Sequence, residues 1–277
     1  MVRLLHIEFI KLWNNRASKV LILAYFLLLT SIALIAAVKF DIGPIKFHLA
    51  EQGIFNFPYI WHFNTFITAF FKLFLAIVIV SMMANEYSNK TIKQNLIDGL
   101  SKKEFILSKF LTVISFALIS TIFVFGVSLV LGLFYSNYTE ISIIFSGLEF
   151  LLAFFVKLVG FFSFCLFLGI LVKRSAFALG FLILWQVFES LIRGIIRWRF
   201  FDGETTDIIM GFFPLNAMWN LIKEPFTRLS AVQTAVNQMG EEIVLNYHVH
   251  WYELIIVLAW TAIFIYGSYA LLKKRDL

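Results

Sequence analysis

A single cysteine, Cys165, stands in the whole chain, inside an apolar run, and this excludes an intrachain disulfide. Charge is scarce as well. Only 14% of residues are charged and 61% are hydrophobic, whereas soluble domains run nearer a quarter charged. A soluble fold of 277 residues has too little interior for that much apolar surface, so the solvent it needs is lipid. No G-x-x-x-x-G-K-[ST] string occurs, so the chain has no P-loop with which to cradle nucleotide phosphates. No cleavable signal peptide is expected either. The first apolar run begins only at Val20, behind a charged segment, and is long enough to remain as a span.

What is present is a series of apolar runs. At 1.5 Å per residue, about 20 helical residues cross roughly 30 Å of hydrocarbon. Six runs qualify, at 20–38, 63–84, 110–135, 148–172, 176–196 and 251–272. They predict an all-α, polytopic membrane protein, a single domain over 1–277. The net charge of +6 serves orientation rather than nucleic-acid binding. With the N-terminus inside, cytoplasmic segments hold fourteen of the 23 Lys and Arg and the outer segments six, four of those in one long loop. Basic residues are retained on the cytoplasmic side, so both termini are expected there.

The segments between spans carry pattern. In 1–17, Val2, Leu5, Phe9, Leu12 and Trp13 share one helical face, with Arg3, Glu8, Lys11, Asn14 and Asn15 mostly opposite; Leu4 and Ile7 break the stripe. This predicts a helix lying in the inner interface. In the cytoplasmic loop 85–109, Ser88 is placed to cap a short helix with Ile92, Leu96 and Ile97 along an apolar edge, and Gly99 to close it. Ser101-Lys102-Lys103-Glu104 then reads as a capping box opening the third span. An apolar edge at the cytosol must meet either the protein's own helices or a partner.

This loop resembles that of type-2 ATP-binding-cassette (ABC) exporter permeases. There a Glu-Tyr pair precedes a Thr and a short amphipathic coupling helix, followed by a Ser and basic residues. Glu86, Tyr87 and Thr91 stand in that pattern, with Ser101, Lys102 and Lys109 after them, while the family's usual Gly before the Thr is Lys90 here. The resemblance extends along nearly all of the chain and implies a transport subunit rather than an enzyme. It implies ATP and Mg bound by separate ABC ATPase subunits, a second permease copy or sister permease, and export out of the cytoplasm. Glu86, Tyr87, Thr91, Ile92 and Leu96 are the residues it assigns to making or shaping the ATPase contact. A channel, a membrane scaffold or a polytopic membrane enzyme are the alternatives.

The outer segment 197–250 contains an apolar stretch, 208–222, too short to span and broken by Gly211 and Pro214. A re-entrant or interfacial hairpin fits it, and the type-2 permeases carry such a hairpin. Beyond it Leu229, Val232, Val236 and Met239 recur at helical spacing. Glu241 and Glu242 with His248 and His250 are the one cluster resembling metal ligands, but the membrane-protease pattern needs an Arg where Asn246 stands. His48 and His62 read as ordinary interface residues. Within the spans lie Lys72, Lys157, Glu189 and Arg193. Glu189 and Arg193, four apart, have the spacing of a salt bridge; lining a polar pathway is the other reading for all four.

Overall fold

A computed structural model describes residues 2–37, 39–42, 45–48, 53–229, 232–233 and 246–275, with backbone alone at 2, 32–37, 39–42 and 45–48. Helices α1 (Val2–Asn14) and α2 (Arg16–Ala37) open the chain, followed by a short antiparallel hairpin of β1 (Lys39–Ile42) and β2 (Ile45–His48). Then come α3 (Tyr59–Phe70), α4 (Lys72–Ser88), α5 (Thr91–Ile97), α6 (Lys102–Tyr135) and α7 (Ile141–Ile144). The rest are α8 (Glu149–Val172), α9 (Ser175–Arg199), α10 (Gly203–Met210), α11 (Pro214–Asn220) and, last, α12 (Trp251–Lys274). Among the described residues four helical segments are long and apolar enough to cross a membrane: Lys102–Tyr135, Ile141–Val172, Ser175–Arg199 and Trp251–Lys274. The α3–α4 pair, bent by 45°, makes a fifth if counted as one span. The end of the first expected span, at Val38, lies outside the described residues, as do Val236, Met239, Glu241 and Glu242.

The bend has a local cause. Thr65 Oγ1 bonds the carbonyls of Trp61 and His62, and Thr68 Oγ1 those of Asn64 and Thr65. Hydroxyls that bond back to the preceding turn tilt its carbonyls and bend a helix. Phe71 N–H then bonds Thr68 O, three residues back, and α4 restarts at Lys72.

Helix α8 is the hub, with α3, α4, α6, α9 and α12 packed around it. Phe154, Leu158, Phe162, Cys165 and Leu166 on it are fully enclosed. Its Gly160 permits the close approach of α12, because a Cβ there would stand 2.7 Å from Val257 Cγ1. Small residues at such crossings let apolar helices make dispersion contacts that lipid cannot replace.

The expected capping box opens α6. Ser101 Oγ accepts from Glu104 N–H at 3.2 Å, and the Glu104 carboxylate accepts from Ser101 N–H at 2.9 Å. Asn15 performs a similar task at α2, where its side chain accepts from Ser18 N–H at 3.1 Å. The segment expected as a hairpin is two short helices, α10 and α11, hinged at Gly211–Phe213 and packed on α9, α8 and α12.

Helix α1 corrects the expected face. Glu8, assigned to the polar side, is 5% exposed, while Trp13, assigned to the apolar side, is 52% exposed. The buried face runs through Glu8 and Leu12 with Phe9 against the core, and Ile7, Ile10 and Trp13 form a separate apolar row outside. Hydropathy alone put Glu8 outward; an ion pair inside draws it in.

Candidate functional site

At the end of the bundle where α4 stops and α6 begins, four charged side chains converge. Lys109 on α6, wholly buried, places Nζ 2.5 Å from Glu8 Oε2 and 2.5 Å from Glu86 Oε1. Lys11 Nζ lies 3.0 Å from the same Glu86 oxygen and 3.5 Å from Glu8 Oε1. Two acids and two bases make the group neutral, so its burial leaves no net charge in low dielectric. The other Glu86 oxygen accepts from Thr91 Oγ1 at the first residue of α5. The cluster therefore ties α1, α4, α5 and α6 together at one point. Glu86 is thus met on both carboxylate oxygens, by two ammonium groups on one and a hydroxyl on the other.

Tyr87 anchors a second set of contacts. Its hydroxyl accepts from Arg275 Nη1 at 3.0 Å, and Arg275 also donates to the carbonyls of Ile170 and Leu171 at the end of α8. Lys102 Nζ donates to Arg275 O at 3.0 Å. One end of the bundle thus gathers the chain's C-terminal segment, the end of α8 and the start of α6, all of them basic.

Helix α5 sits on this platform. Ile92 is buried and Leu96 packs against the core, so these two meet the protein's own helices. Ile97 is turned out, 75% exposed, beside exposed Lys93 and Gln94. Ser88 does not cap α5. Helix α4 continues through it, and Lys90 occupies the N-cap with φ +55°. That left-handed conformation costs an L-residue about 1–2 kcal/mol and glycine very little. Gly99, at φ +97°, closes the helix as expected, with Leu100 N–H reaching back to Asn95 O at 3.0 Å. Replacing Lys90 by Gly is therefore expected to raise thermal stability by about 1 kcal/mol. Chemical-denaturant or thermal melts of the detergent-solubilised pair check it, and a destabilised Lys90→Gly contradicts it.

The charges within the spans are arranged differently from the expected i,i+4 pair. Glu189, completely buried, accepts from Leu215 N–H at 3.0 Å, Asn216 N–H at 2.9 Å, Asn216 Nδ2 at 2.6 Å and Trp185 Nε1 at 2.7 Å. It caps the N-terminus of α11 from a different helix. Arg193 instead pairs with Asp207 on α10 at 3.4 Å. The cause is competition: backbone donors left open by the α11 start, aligned with its dipole, hold a carboxylate better than a half-exposed guanidinium does. Lys72 and Lys157 face a common cavity with Trp219 and Phe161.

His62 was read as an interface residue, yet it is fully buried. Its Nε2 lies 2.8 Å from Lys223 O, its Nδ1 3.1 Å from Arg228 Nη1, and its ring stacks on Phe150. The aromatic run around it carried no signal that α3 would turn this face inward. His248 pairs with Glu149 at 3.2 Å, and among the described residues no three His, Cys, Asp or Glu converge as metal ligands.

The model of a family described as "Protein of unknown function (DUF2705)" matches residues 20–277. No curated protein matches the chain.

Proposed function

The chain belongs to the DUF2705 family, and from its own geometry we propose that it is the membrane permease subunit of an ABC exporter. The observation that carries the proposal is helix α5. It is a short helix fixed from above by Thr91, Glu86 and Ile92, and it presents Ile97, Lys93 and Gln94 outward at the basic end of the bundle. The proposed ATPase partner covers Ile97 together with Lys93 and Gln94. In this reading α2, α3–α4, α6, α8, α9 and α12 are six spans. Both termini are cytoplasmic, α1 lies in the inner interface with Ile7, Ile10 and Trp13 toward lipid, and α10–α11 form a re-entrant hairpin on the outer side. The gathering of Lys102, Arg275 and the end of α8 at one end supports that orientation.

Two such subunits, identical or sister chains, pair over two ATPases that bind ATP and Mg. ATP binding closes the ATPases and moves α5. Thr91 passes that displacement to Glu86, and the four-charge cluster passes it to α1 and α6 as one rigid body. The coupling works only if the ATPases bind one state of the permease better than the other. Glu86, Tyr87, Thr91, Ile92 and Leu96 shape the contact in this account, and Ile97 makes it.

The test is capture of the tagged chain from native membranes with its neighbouring genes expressed. A P-loop-containing subunit is expected to co-purify with wild type and to be lost, by tenfold or more, with Ile97→Asp. That substitution lies on the surface and is expected to leave stability within about 0.5 kcal/mol. Equal capture by both proteins removes α5 from the interface; capture of no ATPase by either removes the exporter reading.

A further inference from the structure

A cavity of about 290 Å³ opens between α3, α4, α8, α9 and α11. Two lysines and, among the described residues, no carboxylate contribute to its wall. Lys157 is 1% exposed; among the described residues its Nζ reaches only Trp219 O, at a long 3.4 Å, and lies 5.4 Å from the centre of the Trp219 ring. Lys72 Nζ lies 4.6 Å above Phe161. An ammonium has three donors, and an aromatic face compensates only part of the hydration it replaces. Lys72 is also the first residue of α4, where the helix dipole disfavours a cation and favours an anion. Both features make the site more favourable once a negative group enters.

The remainder of the wall is apolar. Phe66, Leu182 and Met218 line the inside, and Phe70, Leu73 and Ile183 continue from the cavity onto the outer surface of the helices, each about half exposed or more. In a chain whose helices meet lipid, that opening faces hydrocarbon. Gln186 adds one amide beside the lysines.

We propose that this cavity binds an anionic amphipath. A phosphate or carboxylate head sits between Lys72, Lys157 and Gln186, and its apolar body leaves past Leu73 and Ile183. The two ammonium groups complete their hydrogen bonds on the anion, a phosphate monoester dianion neutralising both and a carboxylate one of them, and the break between α3 and α4 is what places Lys72 there. This site stands whether or not the chain is an exporter subunit. That its occupant is the exported cargo rests on the transport reading.

The experiment uses the full chain in nanodiscs of zwitterionic lipid, titrated calorimetrically with dodecyl phosphate and with dodecanol, against empty discs. Wild type is expected to bind the phosphate at least tenfold more tightly than the alcohol. Lys72→Met and Lys157→Met are each expected to lose most of that preference, and Lys72→Arg to keep it. Equal affinity for the two ligands overturns the proposal, and so does undiminished preference in the Met variants. Should those variants aggregate, the comparison of ligands on wild type decides alone. Adding phosphatidylglycerol to the discs then identifies the source. Competition supports a bilayer lipid as occupant, whereas unaltered binding supports an amphipath arriving from outside the bilayer. Failure of this binding leaves the capture of an ATPase unaffected, so the two readings fail separately.

Discussion

Lys109→Met is expected to cost about 3–5 kcal/mol, and an apparent Tm in detergent to fall by on the order of 10 °C. The methionine fills nearly the same volume, so the loss is electrostatic. Glu8 and Glu86 are each about 95% buried, and without Lys109 they face one another with only Lys11, itself 41% exposed, to offset them. An uncompensated charge in an interior costs far more than the intact cluster contributes, since the intact cluster has already met a large desolvation penalty. The same reasoning predicts a rescue. Glu8→Gln and Glu86→Gln together, added to Lys109→Met, are expected to recover most of the lost stability, because two amides need far less compensation than two carboxylates. Thermal unfolding of the three proteins, wild type, Lys109→Met and the triple variant, checks both halves. A Lys109→Met protein as stable as wild type, or a triple variant no better than the single one, contradicts the cluster.

Glu189→Ala is expected to cost about 3 kcal/mol or more and to loosen the α10–α11 segment. Four donors lose their acceptor: two backbone N–H groups at the start of α11, an amide and an indole. Each buried donor left unsatisfied costs about 1–3 kcal/mol. The loss is local, so limited proteolysis between α10 and α11 is expected to accelerate. Arg193→Ala is expected to change little. Its ion pair with Asp207 is 3.4 Å long, with 40% and 65% of the two side chains exposed, and pairs of that kind contribute roughly 0–1 kcal/mol. Were Glu189 and Arg193 partners instead, the two substitutions would have comparable effects, which makes the comparison decisive.

These two cases mark what a sequence of this type reveals. Features set by neighbours along the chain were legible. The Ser101–Glu104 box, the Gly99 close and most of the expected spans as helices depend on residues a few positions apart. Lys90 was legible as a departure, and its φ of +55° gives the reason a glycine suits that place. Features set by distant segments were not. The i,i+4 spacing of Glu189 and Arg193 says nothing of a helix start 26 residues further on. Glu8 looked solvent-facing because its partner is Lys109, 101 residues away. Hydropathy flagged Lys72 and Lys157 as costly, but only the bend at Phe71 and the packing of α11 show that they share a cavity. In the loop 85–109 the sequence pattern marked a short helix without sorting its faces. Ile92 and Leu96 turn inward and Ile97 outward, a division that depends on how α5 lies against α4.

The proposed contact of α5 with an ATPase is tested most directly by cysteine labelling at Ile97. The native Cys165 is fully buried, so an Ile97→Cys protein offers one accessible thiol among the described residues. A membrane-impermeant maleimide applied to inverted vesicles is predicted to label position 97 rapidly when the chain is alone. Labelling from the opposite side is predicted to fail, and assembly with the captured ATP-binding subunit to protect the thiol. Labelling from the outer side, or a rate unchanged by an assembled ATPase, would contradict the account.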